Sequence, residues 1–331
     1  MKDRRKIAWL IIGCLIIVSI MVGSYRNITS EKQNNSLWGN LSVDNTLSEK
    51  VIEGEGTNKV AVIRINGVIT DSSSDPSSYL YDSQGTTSES VIKQLNMAEK
   101  DENVEAVILQ IDSPGGSVVA GDTLLSALEK FRSSGKRLVA VMRETAASAG
   151  YMVALPAEKI FANKATQTGS IGVIMQLADY QSLYDKIGVK PIVIKSGQMK
   201  DIGNPGRDMT SEERDVLQSM IDESYNDFVA AVSKWRKLEE SRVRELADGR
   251  IYTGRQAKEL NLIDDFGNQQ DAINYIKGEL GVDALTIIEY QAGPLGGIIS
   301  SLFERISIGG ELQNLIKKQG INNKLMYLWV L

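Results

Sequence analysis

Short β-branched apolar runs alternate with segments of helical period between residues 60 and 162, and this alternation constrains the fold more than any other feature. Residues 60–69, 104–111 and 138–142 read as strands, the second an apolar run without polar alternation. Residues 88–100, with Val91, Leu95 and Met97 at helical spacing, and residues 118–131 read as the helices between them. Strands that alternate with helices imply an α/β domain with parallel crossovers. Residues 160–162, 171–175 and 192–195 are shorter strand candidates, and 71–87 is a Ser- and Asp-rich loop. Further helices are expected at 211–235, 255–260 and 270–279. The first of these starts with Ser-x-x-Arg rather than a full capping box, and carries Glu212 and Glu213 where the helix dipole favours them.

Two absences narrow the chemistry. The 331 residues contain no histidine and one cysteine, Cys14. Imidazole-based triads, His-ligated zinc, cysteine clusters and an intramolecular disulfide are all excluded, so a hydrolase of this sequence must use Lys, Asp or Glu as its base. A net charge of -5 with only short basic runs gives no reason to expect a nucleic-acid partner. No metal or organic cofactor motif is found.

At the N-terminus, Lys2, Arg4, Arg5 and Lys6 precede an apolar run over 7–23. As a helix it would span about 26 Å at about 1.5 Å per residue, close to a bilayer core of about 30 Å. The basic cluster places residues 1–6 in the cytoplasm and the rest of the chain outside. No Ala-x-Ala site follows the run, so a retained single-pass anchor is expected rather than a cleaved signal peptide. Residues 24–56, polar and without period, read as a tether.

Three segments carry chemistry. Asp112-Ser113-Pro114-Gly115-Gly116 follows a strand and precedes a helix; its backbone N–H groups suit an oxyanion, although a plain Pro-Gly-Gly turn has the same sequence. Thr145-Ala146-Ala147-Ser148-Ala149-Gly150-Tyr151 places one serine among small residues at a strand-to-helix turn. This is the layout of a nucleophile, although by itself a small-residue helix start is a packing feature. Ser196-Gly197-Gln198-Met199-Lys200-Asp201 offers a lysine on a glycine-containing turn; alone, it is an ordinary solvated lysine. Together they supply an oxyanion candidate, a serine and a base, and Ser–Lys pairs are an established route to nucleophilic hydrolysis.

The combination resembles signal peptide peptidase A in its single-length Gram-positive form, from about residue 59 to 290. The resemblance rests on Ser-Pro-Gly-Gly (113–116), Ala-Ala-Ser (146–148) with Gly150-Tyr151, and Thr-Gly-Ser-Ile-Gly-Val (168–173). It extends to Lys-Ser-Gly (195–197) with Lys200-Asp201, Asp-Gly-Arg (248–250) and Gly-Arg-Gln-Ala (254–257). It implies a crotonase/Clp protease-like core, preceded by the transmembrane helix. It further implies Ser148 as nucleophile, Lys200 as general base, Ser170 orienting the lysine, and the N–H groups of Gly115 or Gly116 and of Ala149 as the oxyanion hole. Ala149 stands where the family commonly has glycine. Apolar peptides such as cleaved signal peptides are the implied substrates. A ring- or dome-shaped homo-oligomer, with serine and lysine from neighbouring subunits, is the implied assembly. The expected organisation is a cytoplasmic tail (1–6), an anchor (7–23), a tether (24–56), a peptidase domain (57–295) and a C-terminal helix with an apolar tail (296–331). That tail, 325–331, resembles a substrate and is a candidate occupant of the peptide groove. Two other readings remain beside it: a crotonase-type acyl-CoA enzyme, which needs neither Ser148 nor Lys200, and a non-catalytic membrane scaffold.

Overall fold

The computed structural model describes residues 47–71, 85–292 and, as backbone, 326–328. The segments read as cytoplasmic tail and anchor, most of the tether, and most of 296–331 lie outside them. Among the described residues no helix is long and apolar enough to cross a membrane.

In chain order the strands are β1 (Leu47–Glu53), β2 (Lys59–Asn66), β3 (Ile69–Thr70), β4 (Thr86–Thr87), β5 (Val104–Ser113), β6 (Gly115–Ser117), β7 (Arg137–Ala147), β8 (Lys159–Ala162), β9 (Gln167–Gly169), β10 (Ile251–Thr253), β11 (Asp265–Phe266), β12 (Thr286–Ala292) and β13 (Met326–Leu328). The helices are α1 (Ser88–Lys100), α2 (Val118–Ser133), α3 (Ala149–Met152), α4 (Gln181–Ile187), α5 (Ser211–Arg236), α6 (Glu240–Leu246), α7 (Gly254–Glu259) and α8 (Gln269–Leu280).

The main sheet runs β1-β12-β2-β5-β7-β8-β11, with β9 and β10 joined at the end of β7. It is parallel from β12 to β11; β1 is antiparallel to β12, and β10 to β9. The expected α/β domain with parallel crossovers is present. Because successive side chains of a strand point to opposite faces, β2 and β5 feed two cores. Ala61, Ile63, Ile65, Val107 and Leu109 face α1, α2 and the C-terminal half of α5, where Leu124, Leu128, Phe131, Phe228 and Val232 are fully buried. Val60, Val62, Ala106 and Ile108 face α8 through Ala272, Ile273 and Ile276. A fully buried Leu such as Leu124 contributes on the order of 2–3 kcal/mol by burial.

A small second sheet, β13-β6-β3-β4, sits beyond the carboxyl ends of β2 and β5. Ser117 caps α2 by accepting the N–H of Ala120, so β6 is held between a strand end and a helix start.

Four expectations are corrected. Residues 47–53, assigned to the tether, form β1; its side chains are mostly exposed and the strand is held by backbone pairing to β12, so no burial pattern marks it. The strand expected at 171–175 lies instead at 167–169, because Gly169 (φ 83°) and Ser170 (φ 48°) turn the chain before Ile171. Residues 192–195 form no strand: Ile192 and Ile194 are 87% and 96% exposed, and among the described residues no strand pairs with them. Helix α5 does begin with a full capping box, one residue earlier than read. Thr210 Oγ1 accepts the N–H of Glu213, and the Glu213 carboxylate accepts the N–H of Thr210.

Candidate active site

Ser148 lies between the end of β7 and the first residue of α3. Its backbone is held at φ 56°, ψ -121°, which few non-glycine residues adopt and which surrounding structure must enforce. The enforcement is visible. The Ser148 N–H donates to the Gly169 carbonyl at 2.8 Å, and the Ser148 carbonyl accepts from Tyr151 at 3.0 Å and Met152 at 2.9 Å. Thr168 Oγ1, fully buried, donates to the Ala146 carbonyl at 2.7 Å and ties β9 to β7 from the other side. The result is a serine 1% exposed whose Oγ has no hydrogen-bond partner among the described residues. A buried hydroxyl left unpaired is costly, and such exceptions concentrate where a missing partner is part of the function.

Beside it, Ser113 at the end of β5 organises the glycine turn. Its Oγ donates to the Gly67 carbonyl at 2.6 Å and accepts the N–H of Gly115 at 3.1 Å. Gly115 has φ 112°, open to glycine at low cost. Gly116 pairs with Ile69 of β3 on one side and with Tyr327 of β13 on the other. The close approach of α3 to this turn requires Gly150, where a Cβ would lie 2.6 Å from the Ser113 carbonyl oxygen. Ala149 is fully buried at the first position of α3, so its N–H has no intrahelical acceptor.

The structure therefore brings Ser148, Ala149, Gly115, Gly116 and Ser170 into one neighbourhood. Ser170 follows the glycine that accepts the Ser148 N–H, is 7% exposed, and is fixed by its own N–H donating to the Arg250 carbonyl at 2.8 Å. The edge of β6 also takes an antiparallel strand. Met326, Tyr327 and Leu328 pair with Ser117, Gly116 and Gly115, so the described part of the apolar tail lies on the glycine turn.

Lys200 is not brought to Ser148. It is exposed, in a 3₁₀ turn over Gln198–Asp201, within a stretch from 188 to 200 in which every residue is exposed. Among the described residues no hydrogen bond reaches Ser148 Oγ. The same turn carries an ion cluster that sequence reasoning missed. Asp201 accepts from Lys195 and from Arg207, and Arg207 also donates to Glu213 at the start of α5. The Arg207 guanidinium holds the Asp201 carboxyl far below its ordinary range and lowers that of Glu213 to about 2. The signal is the spacing Thr210-x-x-Glu213, a capping box one residue before Ser211-x-x-Arg214. The roles of Ser113 and Gly169 as anchors for the glycine turn and the serine were also missed, because the Ser113 hydroxyl reaches the carbonyl of Gly67 and the Gly169 carbonyl the N–H of Ser148, partners apart in sequence. Among the described residues no group of three His, Cys, Asp or Glu could hold a metal ion.

Comparison with known proteins places these residues in context. The model of peptidase family S49 matches residues 130–283, and that of Clp protease matches residues 79–168. A protein of Enterococcus faecium, named for the SppA signal peptide peptidases, is 32% identical over 93% of this chain and 90% of its own. Another of Methanocaldococcus jannaschii, named as a protease, is 41% identical over 60% of this chain and 64% of its own. Protease 4 of Haemophilus influenzae is 30% identical over 66% of this chain, which spans only 34% of that larger protein.

Proposed function

The chain belongs to peptidase family S49, as a serine protease related to SppA, and from that premise we propose a membrane-anchored endopeptidase that cuts apolar peptides with a Ser148–Lys200 dyad. The single observation that carries the reading is the Ser148 Oγ: buried, without a partner among the described residues, and held on a strained turn. Catalytic hydroxyls need a base, and this one lacks it within its own described surroundings.

In the proposed reaction an extended peptide adds to the edge of β6, in the position β13 takes in this chain. Ser148 Oγ attacks the scissile carbonyl while the deprotonated amine of Lys200 accepts its proton. The negative charge develops on the carbonyl oxygen, where the N–H groups of Gly116 and Ala149 receive it. Gly115, whose N–H already donates to Ser113 Oγ, acts mainly by shaping the turn. The lysine then gives the proton to the leaving amine, and a water activated in the same way hydrolyses the acyl-serine. Ser170 orients the lysine amine.

Lys200 reaches a neighbouring copy's serine in this reading. Its support is the exposure of the lysine arm, the chain from α4 to the Lys200 turn (residues 181–201), where Leu183, Ile187, Ile192 and Ile194 present apolar surface to solvent in the single chain. A closed ring of like subunits would cover that surface and complete each site across an interface. Residues 7–23 would anchor the ring, with the catalytic domains at the outer face of the cell membrane and cleaved signal peptides as natural substrates.

The test uses the full-length protein in detergent and an apolar fluorogenic peptide. Ser148→Ala and Lys200→Ala should each lose about ten-thousand-fold or more in rate. Co-assembled from equal amounts, they should regain about a quarter of wild-type activity, the chance that an intact serine meets an intact lysine across a subunit contact. Full activity in Ser148→Ala would overturn the assignment of the nucleophile. A mixture that stays inactive would place the base in the same copy as the serine.

A further inference from the structure

The lysine arm lacks the packing that usually fixes a loop. Residues 188–200 are exposed throughout, and the backbone of the Lys200 turn is joined by the Lys200 N–H to Gly197 at 3.1 Å and the Ile202 N–H to Met199 at 3.2 Å. A base must nevertheless be held within a fraction of an ångström of its nucleophile, since a misplacement of about 1 Å costs about a hundredfold. We infer that Arg207 is a positioning residue for the base: its guanidinium forks the carboxylates of Asp201 and Glu213 and so locks the Lys200 turn to the first turn of α5.

The geometry uses every donor the guanidinium has. Nε donates to Asp201 Oδ2 at 3.0 Å, and Nη2 to Asp201 Oδ1 at 2.8 Å, a bidentate contact with the residue that follows Lys200. Nη1 donates to Glu213 Oε2 at 2.8 Å and to the Asp208 carbonyl at 3.0 Å, and Nη2 also reaches Glu213 Oε1. Glu213 is 2% exposed and committed to the capping box. Helix α5 in turn buries Phe228, Val229 and Val232 in the main core. The lysine turn is thus referenced, through one side chain, to the rigid body of the domain. Lys195 on the near side donates to the same Asp201 oxygen and to the Gln198 carbonyl, closing the turn from within. The cluster of Lys195, Asp201, Arg207 and Glu213 is neutral in sum, so it holds the turn without imposing a net charge on the amine beside it.

A fork of this kind needs a planar group with donors in fixed directions, which lysine lacks. This inference rests on the Ser148–Lys200 reading. Its test compares Arg207→Lys, Glu213→Gln and Lys200→Ala in the full-length, assembled protein, with kcat, KM, melting temperature and oligomer size measured together. Arg207→Lys should lower kcat about ten- to a hundredfold while KM stays within about twofold and assembly is unchanged. Glu213→Gln, which keeps an oxygen for the cap, should follow in the same direction by a smaller factor. Wild-type kcat in Arg207→Lys overturns the inference, as does a loss matched by falling melting temperature or broken assembly in both variants, which would mark a structural role. Should Lys200→Ala remain active, the dyad itself fails. A dead Lys200→Ala beside a fully active Arg207→Lys removes only the positioning role.

Discussion

Substituting Gly116 by alanine tests whether the glycine turn is built by close backbone approach. A Cβ at this position would lie 1.9 Å from the Ile69 carbonyl oxygen and 2.7 Å from both the carbonyl carbon and the nitrogen of Ile69. Ordinary contact begins at 3.4 Å, so β3 and β6 must separate by about 1.5 Å. Ile69 is fully buried and the clashing atoms are backbone, so no side chain can swing aside to absorb the change. Overpacking of this kind costs about 1–3 kcal/mol, and the upper half of that range applies here. For a domain of this size each kcal/mol lowers the melting temperature by about 2–4 °C, giving an expected fall of about 4–12 °C. The Gly116 N–H would move with the strand, and loss of one oxyanion donor lowers kcat by about 10²–10³. Scanning calorimetry and peptide turnover should therefore both respond. Gly197→Ala is the control: nothing lies within 4 Å of its Cβ position, and stability should change by less than about 0.5 kcal/mol. A Gly116→Ala protein with wild-type melting temperature and turnover would refute the claim that β3 and β6 are fixed by this contact.

Removing residues 325–331 should raise kcat/KM for an apolar peptide about threefold or more, because a tethered strand competes for the β6 edge at high effective concentration; unchanged rate and stability would show that the pairing with Gly115–Ser117 does not obstruct substrate. Tyr151→Phe removes the hydroxyl that donates to the Leu262 carbonyl at 2.9 Å from a fully buried site. It should destabilise the fold by about 0.5–1.5 kcal/mol in denaturant titration. Acid should loosen the lysine arm before the core. Glu213, lowered to about 2 from 4.5 by Arg207, stabilises the folded arm fully above pH 4.5, and that contribution is lost as pH falls from there through about 2. Hydrogen exchange across residues 195–213 should speed up in that window while exchange in β5 and β7 does not, and simultaneous loss everywhere would contradict the local role given to the ion cluster.

Much of the site was legible because its parts are local. Ser148 among alanines, and the Pro-Gly-Gly turn after β5, follow from short segments whose backbone demands only small residues can meet. The boundaries of α1 at 88 and 100 were read to the residue, since Thr87 caps it and the apolar spacing ends at Lys100. What could not be read depends on partners distant in sequence. β1 is held by β12, and its mostly exposed side chains carry no burial signal. The apolar run at 192–194 imitates a strand, yet among the described residues no strand pairs with it.

The sequence by itself determined the alternating α/β plan and excluded imidazole, disulfide and cysteine–metal chemistry. It also singled out a serine and a lysine 52 residues apart. The plan and the exclusions follow from composition and from periods of two and of three to four residues, which chain geometry turns directly into elements; the serine and the lysine stand out through their motifs and the family these resemble. Only the tertiary structure decided that the serine is buried without a partner while the lysine stands on an exposed arm forked to α5 by Arg207. Burial and exposure of this kind are set by sheet order and packing, as is the pairing of β1 with β12, and no local period encodes them.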